Sequence, residues 1–186
     1  MVVKQMLQTN LKEKQKDKFI QFLEDNRDNR QLMASLRRGL AQPRSVEVSR
    51  VVQQWLSEDS PHWLEDVYYS IAPLFALHHN DITETGNMGS HFRDMCDDPN
   101  DPPSNIERRF MQLLACDAND LDDLLRQAVS LLKSKSVAVN WQRLFNDMGW
   151  WKQSADSRER VRLEWSRKFW RTNKQPSQPT NQESNS

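Results

Sequence analysis

Apolar positions recur along this chain at helical spacing. Leu32, Leu36 and Leu40 stand four apart and define one buried face, with Arg37 and Arg38 largely off it. Upstream, Phe19, Phe22 and Leu23 keep the same period after Lys12, Lys14, Lys16 and Lys18. Gly39 and Pro43 read as the end of the Leu32 helix, and Val48, Val51, Val52 and Trp55 as the start of another. Ser60-Pro61 opens a helix with proline in its first turn, carrying Trp63, Leu64 and Val67. Residues 68–79 are the most apolar stretch and predict a buried helix that kinks or restarts at Pro73.

Residues 80–105 read as a loop region with a short turn through Phe92 and Met95. Within it, Asp97-Asp98-Pro99-Asn100-Asp101-Pro102-Pro103 is the best boundary signal. Beyond it, Ser104 followed by Glu107 has the spacing of a capping box. The stripe Ile106, Phe110, Leu113, Leu114 then predicts a helix. Asp120 caps the next, which carries Leu121, Leu124, Leu125, Ala128, Leu131 and Leu132. Val137, Trp141, Leu144, Phe145 and Met148 predict a third, ended by Gly149. Residues 158–173 predict the last, with Val161, Trp165 and Phe169 on one face.

These elements give an all-α fold with a boundary between residues 1–100 and 104–174, and with frayed residues 1–10. A polar tail, 175–186, has the composition of a disordered segment. Composition agrees. Four glycines, eight prolines and few β-branched runs among 186 residues favour helices. The seven tryptophans and seven phenylalanines supply core area that a hydrophobic share of 37% would otherwise lack. Cys96 and Cys116 have neither metal-ligand spacing nor the pattern of a secreted disulfide framework. No signal peptide or membrane span is visible, so a soluble, cytoplasmic setting is the expectation.

Charge changes the picture more. Lys plus Arg and Asp plus Glu both number 26, yet the charges are segregated. Residues 1–50 are net +5, 51–105 net −9 with Arg93 their one cation, 106–125 net −3, and 126–174 net +8. Two basic blocks around an acidic middle suggest an oriented surface for a polyanion. The acidic middle would face a basic partner or solvent.

On the last helix Arg160, Arg167, Arg171 and Lys174 fall in one stripe, with Glu164 placed to pair with Arg160 or Lys168. Arg126 and Lys133 share a helix face with Lys135 just beyond. Arg108 and Arg109 lie opposite the Phe110 stripe, and Arg143 projects from the Trp141 helix. With Arg37 and Arg38 these are candidates for a basic groove that grips phosphates by counterion release. For any one of them a surface ion pair is the competing account. Trp141, Trp165, Phe110 and Phe169 belong to apolar faces and read as core rather than base-stacking platforms. Trp150 and Trp151 read as packing or subunit-contact residues, one of them exposed.

Catalytic motifs are missing. There is no GxSxG, no phosphate loop, no paired-carboxylate box and no zinc spacing, so no enzyme, metal or cofactor is expected. His78-His79-Asn80-Asp81 is the single cluster that resembles a metal site, without a further ligand at a recognised interval.

The chain resembles the CasB family, the small subunit of the type I-E CRISPR surveillance complex Cascade, from about Phe19 to Arg171. The matching pieces are Leu36-Arg37-Arg38-Gly39, the run Tyr69 to His78, and Gly86-Asn87-Met88-Gly89 with Phe92-Arg93. Ile106 to Leu114, Asp120 to Lys135, Val139-Asn140-Trp141 and Trp165 to Trp170 follow in order. The resemblance implies a non-catalytic, all-helical subunit built from two packed helical halves, a helical bundle. It lies as two head-to-tail copies against the crRNA-bearing backbone and large subunits. It binds single-stranded DNA and the crRNA–target heteroduplex without sequence preference, and stabilises the displaced strand of the R-loop. The family's basic surface maps onto Arg37, Arg38, Arg93, Arg108, Arg109, Arg126, Lys133 and Lys135. Where some relatives carry basic residues after Leu114, this chain reads Ala115-Cys116-Asp117-Ala118, so the groove would be weaker there or supplied by Lys133, Lys135 and Arg143 instead. Three alternatives stand beside this one: a helical protein–protein adaptor without nucleic-acid binding, a metal-dependent hydrolase built on His78, His79 and Asp81, and a helix-turn-helix regulator.

Overall fold

A computed structural model describes residues 18–98 and 103–170. The expectations for residues 1–10, Lys12, Lys14, Lys16, Arg171, Lys174 and the polar tail lie outside them, as does most of the Asp97–Pro103 run.

The described residues are all-α. Helix α1 covers residues 18–25. Helix α2, Arg30–Arg37, starts at Asn29, whose side chain accepts the Leu32 amide, and continues into a 3-10 turn over Arg38–Leu40. Helix α3, Val46–Val52, is capped by Ser45 and runs into a second 3-10 turn, Gln53–Trp55. Helix α4 spans His62–Leu77, and α5 spans Met88–Asp94 behind a capping box formed by Asn87 and Ser90. Helices α6, Ser104–Ala115, α7, Leu121–Ser134, α8, Trp141–Gln153, and α9, Ala155–Trp170, complete the order. A lone parallel bridge between Ile82 and Val139 ties the loop after α4 to the turn before α8.

Helix α4 is the centre. It packs against α2, α3, α7 and α8, while α9 closes over α5 and α8. Ten of its residues are buried, so its sequence is apolar on nearly every side, as expected of a helix surrounded by others. Aromatic rings tie the layers together. Phe19 of α1, Tyr68 of α4 and Phe145 of α8 meet at 4.7 to 6.0 Å between centroids. Phe110 of α6 contacts Phe92 of α5 at 5.1 Å and Phe169 of α9 at 4.3 Å. Trp141, Trp165, Phe110 and Phe169 are all core residues, as their helical faces predict.

Several local expectations change. Pro73 neither interrupts nor restarts α4, which is continuous through it. A proline removes one helical N–H donor, but here its ring fills the space against Gly39, where a Cβ would come within 2.9 Å of the Pro73 Cγ. The expected loop 80–105 contains α5 as a helix of its own. Ser104 is the first residue of α6 rather than its cap, a position held by Pro103 without a side-chain bond. Asp120 holds the cap position of α7, yet its side chain makes no capping bond. Gly149 lies inside α8, where it faces the Trp63 ring. Val137 falls in the turn before α8, which begins at Trp141 behind an Asn140 cap. The last helix begins at Ala155, and the Ser154 hydroxyl accepts the Ser157 amide at 3.1 Å.

Gly89 shows why α5 sits where it does. A Cβ there would lie 1.9 Å from the Trp165 carbonyl oxygen, so the α5 and α9 backbones touch. Only glycine permits that approach.

Candidate nucleic-acid interface

Helix α7 turns its apolar side inward through Leu121, Leu125, Ala128, Val129 and Leu132. Its outward side is therefore polar, and Arg126, Gln127, Ser130 and Ser134 fall along it. With Arg109 of α6, and Leu40 and Leu77 at the base, they line an open groove of about 600 Å³. Arg126 is held across the groove wall, Nη1 donating to the Leu40 carbonyl at 3.0 Å. Its Nη2 stands 3.5 Å from the Asp123 carboxylate. Arg109 also lines a small neighbouring recess with Gln112, Leu124 and Gln127.

The groove runs toward a point where three helices end. Arg37, the last residue of α2, donates from Nε to the Ala76 carbonyl at 3.1 Å. His79 Nδ1 donates to that same carbonyl at 3.1 Å. Next to it, His78 Nε2 donates to the Val137 carbonyl at 2.8 Å and fastens the end of α4 to the turn after α7. Burial, with the nearby charges of Arg37 and Lys133, holds the His79 imidazole below its ordinary pKa, against the opposing pull of Ala76 and Asp28. Lys133 thus lies within electrostatic reach of His79 alongside Arg37. The structure brings Arg109 and Arg126 together on the groove, and sets Arg37 and Lys133 together around His79, with Lys133 and Lys135 exposed at the end of α7.

Other sequence candidates are placed differently. Arg38 is exposed and pairs with Glu47 at 3.3 Å. Arg93 is half-buried on α5, and Arg108 is exposed on α6 beside Arg109. Arg143 stands away from the groove. Its Nε binds the fully buried Asp147 at 2.7 Å, and its Nη2 binds Glu164. Glu164 therefore pairs with Arg143 across helices rather than with Arg160 or Lys168. Asp147 also accepts the Trp165 indole N–H at 2.7 Å. Burial, only partly offset by Trp165 and Arg143, pushes the Asp147 carboxyl up to about 6. Arg160 and Arg167 are exposed on α9, while Arg158 and Arg162 turn back to the Trp151 and Cys116 carbonyls. Trp150 is exposed and Trp151 buried.

The residues of the metal-site alternative diverge. His78 is buried on a carbonyl, His79 faces Arg37 and Lys133, and Asp81 lies 3.7 Å from the His78 Nδ1. No His, Cys, Asp and Glu cluster suited to a metal ion occurs among the described residues. No helix among them is long and apolar enough to cross a membrane. Gln127, Ser130 and Ser134 escape a reading of the sequence for cations alone. Their signal is a polar row at helical spacing beside Arg126.

The family model for the CRISPR-associated protein Cse2 matches residues 32–170. The fold is similar to that of CasB from Thermus thermophilus, with a TM-score of 0.70 and 23% identity over 84% of this chain and 98% of that one. M. ruber CasB gives a TM-score of 0.69 and 27% identity over 84% of this chain and 93% of that chain. A chain from a structure described as a CRISPR RNA-guided surveillance complex gives a TM-score of 0.70 and 20% identity, covering 86% of this chain and 94% of that chain. No curated protein matches the chain.

Proposed function

The chain belongs to the CRISPR-associated Cse2 family, and from that membership we propose that it is the non-catalytic, nucleic-acid-binding small subunit of a type I-E Cascade complex in the cytoplasm. It joins crRNA-bearing backbone and large subunits, alongside a second copy of itself. It supports crRNA-guided DNA binding and holds the displaced strand of the R-loop without reading its sequence.

The observation that carries this reading is the groove on α7, where Arg109, Arg126, Gln127, Ser130 and Ser134 line one open surface. Guanidinium groups with neutral hydrogen-bonding side chains between them suit a phosphate backbone. Exchange of a DNA duplex for an RNA–DNA heteroduplex is close to balanced, so a few such interactions are enough to tip it. Arg37 and Lys133, both beside His79 at the end of α4, add further positive charge.

Fluorescence anisotropy with labelled single-stranded DNA tests the reading, using wild type and Arg109→Ala/Arg126→Ala/Lys133→Ala. The expected result is weaker binding on every sequence and a shallower dependence on salt, by about 0.7 in log–log slope for each phosphate no longer neutralised. Equal affinity and slope for both proteins would remove the groove from the function. Native mass spectrometry of the chain expressed with crRNA and the other CRISPR-associated proteins checks the assembly. A chain that never enters a crRNA-bearing particle would favour the adaptor alternative.

A further inference from the structure

Arg126, with Leu40, stands between two cavities. On one side is the groove just described. On the other is a cleft of about 250 Å³ whose polar lining includes Arg44, Asp66, Asp122 and Asp123. The groove is lined by arginines without a carboxylate, whereas the cleft mixes both signs.

The three carboxylates of the cleft are not equivalent. Asp66 is held by Arg44 at 2.9 Å, and Asp122 by the buried Lys152 at 2.7 Å. Neither of those cations lines the groove. Asp123 alone takes its partner from it, standing 3.5 Å from Arg126 with its side chain 80% exposed. The Arg126 Nη1 is fixed on the Leu40 carbonyl at 3.0 Å, so the guanidinium cannot swing clear of both neighbours without breaking that bond. The Leu40 carbonyl is neutral and leaves the charge of Arg126 uncompensated. The group that answers the charge is the Asp123 carboxylate, at Nη2.

We propose that Asp123 is a built-in competitor that ends the polyanion tract at Arg126. Its carboxylate occupies Arg126 in the free protein and must yield when a phosphate binds. It sets the edge of the tract where the neighbouring cleft begins. An exposed ion pair is worth at most about 1 kcal/mol, so the competitor is weak enough to be displaced. The position of Asp123 in the first turn of α7 also suits the helix dipole. That role is compatible with the competition but predicts no effect on DNA. The proposal rests on the nucleic-acid reading above and adds the limit and direction of the bound strand.

The test uses the full chain, labelled oligo-dT of graded length, and anisotropy over a salt series. Asp123→Asn is expected to tighten binding about 2- to 5-fold and to steepen the log–log salt slope by about 0.7, the value of one further neutralised phosphate. Asp123→Lys is expected to go further in both respects. In an Arg126→Ala background most of the gain from Asp123→Asn should vanish. Asp123→Asn with wild-type affinity and slope overturns the proposal, and so does an undiminished gain without Arg126. Wild-type binding that Arg126→Ala weakens while Asp123→Asn leaves it unchanged defeats this proposal alone. Absence of salt-dependent binding in wild type and all variants defeats both this and the function it rests on.

Discussion

The α8–α9 contact and the outer face of α7 use the same kind of ion pair in opposite settings. In the first, Arg143 closes on a carboxylate with no exposure to water, and a tryptophan N–H completes it. In the second, Arg126 meets a carboxylate that is 80% exposed. Burial of the anion decides what each arginine does. Asp147 cannot recover its hydration if Arg143 leaves, so that pair is committed to the fold. Asp123 can, so Arg126 remains available to a ligand.

The largest test of this contrast lies at the floor of the buried side. Gly89→Ala would put a methyl group into the Trp165 carbonyl and separate α5 from α9. We expect a loss of more than about 4 kcal/mol, seen as failure to fold or a collapse of the thermal transition. A stable Gly89→Ala protein would mean that the helices slide apart at little cost.

Next is Arg143→Ala against Arg126→Ala, compared by urea midpoint. The first strands a buried carboxylate and should cost about 3 kcal/mol. The second loses one hydrogen bond to a carbonyl and an exposed pair, and should cost about 1 kcal/mol or less. DNA affinity should show the reverse order. Equal stability losses would erase the distinction between the two regions.

Stability as a function of pH sharpens it further. The Asp147 carboxyl titrates near 6 when folded, above its ordinary 3.8. The folded state therefore binds more protons between about pH 4 and 6, and this group's contribution to stability falls as pH rises through that window. The buried His91, whose Nε2 accepts the Asn140 amide, is pushed down to about 4 from 6.5. There the unfolded state binds more protons, and stability rises with pH over nearly the same window. The two slopes oppose each other. Asp147→Asn should leave stability rising more steeply from pH 4 to 6.5, and His91→Gln should tilt the profile the other way. Profiles parallel to wild type would show that neither group titrates as its burial implies.

The smallest effect belongs to Arg38→Ala. Its pair with Glu47 is exposed on both sides, and the change should shift stability by less than about 0.5 kcal/mol in a thermal or urea melt.

Periodicity made much of this legible. The buried faces of α7 and α9, the core positions of Trp141 and Trp165, and the shared face of Arg126 and Lys133 all follow from spacing that a helix imposes locally. What stayed hidden depends on partners distant in sequence. Nothing near Pro73 announces that Gly39 will make room for its ring. Nothing near Gly149 announces that Trp63 will pack on it, so a glycine inside a helix reads as a stop. Arg143 and Arg126 look alike until Asp147 is seen to be buried and Asp123 exposed. Helix α5 is only seven residues long, and its identity as a helix rests on a capping box and on the surface of α9.

The contact between Gly89 and Trp165 also has a temporal side. The α5 backbone finds its seat only on a helix made well after it, and Val161, Trp165 and Phe169 arrive with that helix. During translation the aromatic surface of Phe92 and Phe110 waits for its cover, so closing the core is a late, long-range event in an otherwise locally wired helical chain. A nascent chain halted before α9 would present that surface to chaperones and to other nascent chains alike.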